Sequence, residues 1–194
     1  MLVKTYAAAV HGISATLITI EVNCTKGIQF FLVGLPDVAV RENHERIVSA
    51  LQVNGYAFPR SRVVINMAPA DIRKEGSAYD LPLAIGILAA AGTLSDERLS
   101  RFMLMGELSL DGSLQPIKGA LPIALKAHEE GFKGLILPKQ NACEAAITDG
   151  LEMYDVDNIR KVIEFFSGQR ELERTTVDSN NRRRRFRGIF QGFK

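Results

Sequence analysis

Three observations predict an α/β fold of the α+β kind, a mixed sheet with helices packed on it. β-branched stretches crowd the start of the chain, strand and helix patterns alternate after it, and one run, Leu81 to Ala91, is apolar on every side. A helix without a polar face belongs in the interior, so that last run predicts the buried centre of the fold.

The elements follow in order. KTYAAAV and ATLITIEVNC alternate or run apolar, and IQFFLVG follows the turn signal Lys26-Gly27, which predicts three strands joined by tight turns. After Gly34-Leu35-Pro36-Asp37 the period changes. Val38, Val40, Ile47, Val48 and Leu51 with charges between them predict an amphipathic helix, capped by Asp37 and closing near Asn54-Gly55. RVVINMA, between Pro59 and Pro69, is a strand. The helix Leu81 to Ala91 comes next, and FMLMGELSLDGSLQPI supplies two short strands around Asp111-Gly112. Helices over Gly119 to Glu130, Gln140 to Ile147 and Asn158 to Phe166 then alternate with the strands GLILP and LEMYDV. Periodicity stops after Ser167-Gly168. The expected organisation is one folded domain over 1–168 and a basic, disordered tail or linker over 169–194.

At 194 residues and 46% hydrophobic the chain can bury one core. It has no run of eighteen apolar residues and no secretory start, so a soluble, cytoplasmic protein with no membrane partner is expected. Cys24 and Cys143 lie far apart, and His11, His44 and His128 are scattered, which argues against a zinc site, a disulfide framework or any metal cluster and casts both cysteines as structural thiols. The net charge of +2 conceals an asymmetry: from Arg170 onward eight Lys and Arg face three acids, leaving −3 for residues 1–169. Bulk basicity is therefore no argument for nucleic acid. The basic groups that could meet a phosphate backbone are Arg182, Arg183, Arg184 and Arg185 in the tail and the pair Arg73-Lys74 ahead of a glycine.

KEGSAYDLPLAIG has the frame of a nucleophile site, with Gly76 at a bend, Ser77 beside it, and a buried helix whose first N–H groups could hold an oxyanion. A serine hydrolase without histidine needs a lysine made neutral by burial and set in hydrogen-bond contact. Glu107 and Asp111 flank a hairpin and are too few for a metal.

This stretch together with GELSLDGSLQPIKGALPIALKAHEEGFKGLILP resembles the proteolytic domain of Lon proteases. GLPDVAVRENHERIVSALQVNGYAFP and NMAPADIRKEGSAYDLPLAIGILAAAG resemble more closely still the magnesium chelatase-like AAA+ family of the ComM/YifB type, over about residues 3 to 166. The resemblance implies a Lon protease-like domain of the ribosomal protein S5 domain 2-like type. Lon-type proteases carry Lys-Asp-Gly-Pro-Ser-Ala-Gly and Pro-Ile-Gly-Gly-Leu-Lys. In register, their serine falls on Ala78 and their lysine on Leu121, so the resemblance implies a degenerate dyad and no catalysis. The competing reading is a dyad shifted to Ser77 and Lys118.

No Gly-x-x-x-x-Gly-Lys-[Ser/Thr] occurs, so no nucleotide cofactor is expected on this chain. The family places an AAA+ ATPase module, with its ATP and Mg2+, after this domain, and that module is absent from the sequence. The resemblance further implies a hexameric homo-oligomer as partner, with DNA branch migration in natural transformation as the work of the full-length relatives. The chelatase label brings no porphyrin-handling residue that can be named.

Overall fold

The computed structural model describes residues 1–145 and 150–176. Two long strands open it, β1 (Leu2–His11) and β2 (Ser14–Thr25), an antiparallel hairpin running from Leu2↔Asn23 to His11↔Ser14. The third strand, β3 (Phe30–Val33), does not continue that hairpin. β4 (Arg62–Ala68) takes the free edge of β2, antiparallel from Thr19↔Ala68 to Thr25↔Arg62, and β3 pairs parallel on its far side, giving the order β1-β2-β4-β3. Lys26-Gly27 therefore closes no hairpin: the link from β2 to β3 passes over the place that β4 fills between them, and the parallel β3–β4 pair is joined by the longer crossover such pairs need. Two helices carry the chain across, α1 (Val38–Arg41) and α2 (Asn43–Val53), where one was expected. Asp37 caps the first as anticipated, accepting from the Val40 N–H at 2.8 Å.

Val3, Thr5, Ala7, Ile18, Ile20, Val22, Val63, Ile65 and Met67 alternate onto one buried face of this sheet. Against it lies α3 (Asp80–Ala90), every residue of which is buried. The contact is close because Gly86 faces Val22: a side-chain carbon at Gly86 would come within 2.9 Å of the Val22 Cγ2. Each large aliphatic chain that α3 removes from water contributes about 1.5–3 kcal/mol, so the apolar run is what binds this layer together.

The remaining strands form two further sheets instead of extending the first. FMLMGELSLDGSLQPI gives three strands where two were expected: β5 (Phe102–Leu104) joins another sheet, and β6 (Glu107–Leu108) and β7 (Leu114–Gln115) form a two-stranded ribbon closed around Asp111-Gly112, the turn predicted. After α4 (Ala120–Glu129) come β8 (Gly134–Pro138), the short α5 (Ala142–Ala145), β9 (Glu152–Val156) and α6 (Ile159–Phe166). β5, β8 and β9 make a parallel sheet with β8 central and buried at every position. α4 covers the other face of the first sheet, and just past its end Phe132 packs at a tilt against Tyr6, ring centroids 5.2 Å apart. The helix expected over Gln140 to Ile147 opens with a 3-10 turn, and its residues 146–147 lie outside the described residues.

The tail corrects at its start. Residues 171–176 run as a strap beside β9: the Thr175 N–H donates to the Met153 carbonyl at 2.7 Å and its hydroxyl to Asp155 at 2.6 Å. Arg98 forks onto Glu171 at 3.2 Å and Leu172 packs on the core. The folded part thus reaches Thr176, past the boundary expected at 168, because these contacts come from residues remote in sequence. Cys24 is half-buried and Cys143 exposed, so only the first is a core thiol, its pKa pushed up by burial. No helix among the described residues is long and apolar enough to cross a membrane.

Candidate functional site

A cleft of about 640 Å3 opens between the end of β1 (Ala8 to His11), the loop from Arg73 to Tyr79, Met105 with Glu107, and Pro116 to Lys118. The loop is where the nucleophile frame was read, and it enters α3 directly.

Its shape is set by a clamp between two chain segments some forty residues apart. Lys74 is fully buried, and its ammonium donates to the Gly34 carbonyl at 2.7 Å and to the Pro69 carbonyl. Burial pushes its pKa down from the ordinary lysine value, with Asp71 opposing. Backbone bonds reinforce the clamp: the Lys74 N–H donates to the Leu35 carbonyl at 3.2 Å and the Asp37 N–H to the Lys74 carbonyl at 3.0 Å. The second Asp37 oxygen accepts from the Gly76 N–H at 3.0 Å, so one carboxylate caps α1 and holds the bend of the cleft loop. Gly34 has φ +101 and no room for a side chain beside the Met67 backbone. Leu35 follows in the left-handed region at φ 59, half-exposed.

Behind the loop, Asp80 is buried at the head of α3 and gripped by Arg46, Nε to Oδ2 at 2.7 Å and Nη2 to Oδ1 at 3.0 Å, with the Leu108 N–H at 3.1 Å. Burial pushes its carboxyl up to about 6 against the opposing pull of Arg46 and the Leu108 amide. The pair ties α2, α3 and β6 together beneath the cleft. Burial likewise pushes the Tyr79 phenol well above its ordinary value.

The predicted residues divide as follows. Ser77 and Lys118 both line the cleft, yet the Ser77 hydroxyl donates to Glu107, and no hydrogen bond joins it to Lys118 among the described residues. Lys118 is exposed. Ala78 lines the cleft; Leu121 sits in the first turn of α4, where its N–H donates to Glu144 at 3.3 Å. Lys74 is a correction: taken up by two carbonyls, it presents no charge to a phosphate. Arg73 is exposed and paired with Glu75 at 3.2 Å. Arg182, Arg183, Arg184 and Arg185 lie outside the described residues. His11 lines the cleft, while the His44 ring packs at a tilt against Phe30, centroids 4.7 Å apart. Among the described residues no three His, Cys, Asp or Glu side chains gather to hold a metal.

Sequence reasoning missed Glu107 as the acceptor of Ser77, and it missed the Arg46–Asp80 pair. The second had a signal, since an aspartate heading an all-apolar helix must find a cation or lose its charge. The first had none, because Glu107 lies thirty residues away on another sheet.

The family profile described as "Subunit ChlI of Mg-chelatase" matches residues 20–141. Competence protein ComM of Haemophilus influenzae is 40% identical over 172 residues, 88% of this chain and 34% of that protein. Protein YifB of Escherichia coli is 40% identical over 170 residues, covering 87% and 33%. Lon protease 2 of Bacillus subtilis is 28% identical over 123 residues, 62% of this chain and 21% of that protein, in keeping with a Lon-like domain. The chain spans about a third of the length of ComM and YifB.

Proposed function

Because the chain belongs to the Mg-chelatase ChlI family, of which ComM and YifB are relatives, we propose that it is a non-catalytic binding domain of a larger ATP-driven, DNA-processing assembly. Its share of that work is to organise the oligomer or to bind DNA or a partner. ATP and Mg2+ act in the other two thirds of such a protein. The lack of a phosphate loop in this sequence supports that placement of ATP. Competence, in the name of ComM, supports a role in handling foreign DNA, and branch migration is the activity proposed for the whole assembly.

One observation carries the non-catalytic reading. The positions where the Lon resemblance puts serine and lysine hold the hydrocarbons of Ala78 and Leu121, which can neither attack nor carry a proton. A specific observation also favours the rival, since Ser77 and Lys118 share one cleft. Covalent labelling with a serine-directed fluorophosphonate separates them. The proposal expects no adduct and no turnover of casein; an adduct on Ser77 that vanishes in Ser77→Ala would establish the shifted dyad instead.

A further inference from the structure

β1 lends the cleft a strand edge to which no strand among the described residues is hydrogen-bonded. In the hairpin His11 pairs with Ser14 across a two-residue turn, and a pair that closes such a turn exchanges its backbone bonds. The N–H and C=O of Ala9 and His11 therefore point to β2, and those of Ala8 and Val10 point away. The Ala8 N–H confirms the alternation independently, reaching the Met105 Sδ at 3.3 Å on the outer side. Sulfur is a weak acceptor. Val10 has no backbone partner outside the hairpin among the described residues. Both residues line the cleft.

The opposite wall is held rigid. Both backbone groups of Ile117 are held by the buried Asn141 amide, the N–H donating to Oδ1 and the carbonyl accepting from Nδ2, each at 2.8 Å. That side chain acts as a neighbouring strand would and stiffens Pro116 to Lys118 as a rail facing β1. The volume, about 640 Å3, falls within the ~300–1,000 Å3 of ligand sites, and an unpaired edge inside a cleft is the standard device for taking up an extended chain.

We propose that the cleft binds an extended polypeptide segment, which adds as a strand to β1 at Val10, lies along Pro116 to Lys118, and is held without being cut. The ligand's backbone N–H and C=O complete the Val10 pair. An acidic side chain or terminal carboxylate on the segment meets the exposed Lys118 ammonium. This inference rests on the non-catalytic reading above, which makes the bound segment a tether and not a substrate.

The test pans a phage-displayed dodecapeptide library against the full chain and titrates the synthetic winner by amide NMR and fluorescence anisotropy. The Val10 and Lys118 amides should shift on binding. The peptide should come back intact, and N-methylation of its pairing residue should weaken it about tenfold while leaving the protein untouched. Val10→Pro, which removes the outward N–H at an edge position that tolerates proline, should weaken it similarly. No enriched peptide, or winners that shift residues away from β1 and are indifferent to N-methylation, overturns the proposal. Winners that bind at Val10 and are cleaved, with cleavage lost in Ser77→Ala, uphold the strand site and overturn the non-catalytic reading.

Discussion

Asp80 and Lys74 are both charged and both buried, but they are satisfied differently. Asp80 meets a guanidinium fork. Its folded pKa, about 6 against an ordinary 3.8, means that the folded chain binds its proton more tightly than the unfolded one. The sign follows: this group favours folding most below about pH 4, and that contribution is lost as pH rises through 6. Removing the fork with Arg46→Ala strands an ionised carboxylate, which should cost about 3–5 kcal/mol at pH 8. At pH 4.5 the carboxyl takes up a proton and the loss should shrink; urea denaturation at the two pH values checks this. Lys74 instead meets two neutral carbonyls. Lys74→Met keeps an apolar stem and leaves both oxygens without their donor, so stability should fall by about 1.5–3 kcal/mol. Amide NMR should show Gly76 and Ser77 displaced, since Lys74 sets the loop that carries them.

At the scale of elements, α3 against the first sheet is the decisive contact. Gly86 lets the helix approach, and Gly86→Ala sets two effects against each other. Alanine gains about 1 kcal/mol in helix propensity, whereas its Cβ meets the Cγ2 of Val22, a fully buried, χ1-stiff side chain, at 2.9 Å. Crowding should win by about 1 kcal/mol. Val22→Ala alone opens a cavity, and the double variant, in which one methyl replaces the other, should recover most of both losses; a double-mutant cycle by thermal denaturation reads the coupling. The strap beside β9 is a second element-scale contact. Thr175→Val removes the hydroxyl that both accepts from the Asp155 N–H at 3.1 Å and donates to its carboxylate. Hydrogen exchange at the Thr175 amide, which bonds Met153, should quicken about tenfold while β8 stays protected.

For the whole molecule, charge and burial narrow where a proposed grip on nucleic acid would lie. Lys74 is interior and Arg73 is matched by Glu75, so the folded body offers little unpaired cation at the predicted loop. Arg182, Arg183, Arg184 and Arg185 are then the remaining basic groups named in the sequence for a proposed phosphate contact. If the chain binds duplex DNA through them, replacing all four by alanine should reduce the slope of log K against log salt by about 3–4, and residues 1–176 alone should bind no better than that variant. An unchanged slope would return the contact to the folded body.

Much of this fold was legible as local pattern. The all-apolar run from Leu81 could only be an enclosed helix, Asp37 could only cap what followed it, and Asp111-Gly112 could only turn a ribbon, because each depends on neighbours within a few residues. Which strand sits beside β2 depends on β4, forty residues on, and two strands of similar pattern compete for that edge without differing in composition. The cleft divides the same way. Its bend at Gly76 and the serine beside it stand in the letters, together with the hydrocarbons in the places where the Lon resemblance expects a dyad. That Lys74 turns inward, that Glu107 takes the Ser77 hydroxyl, and that Val10 keeps an open backbone edge are matters of where distant carbonyls, carboxylates and strands end up, and only packing in three dimensions settles those partners.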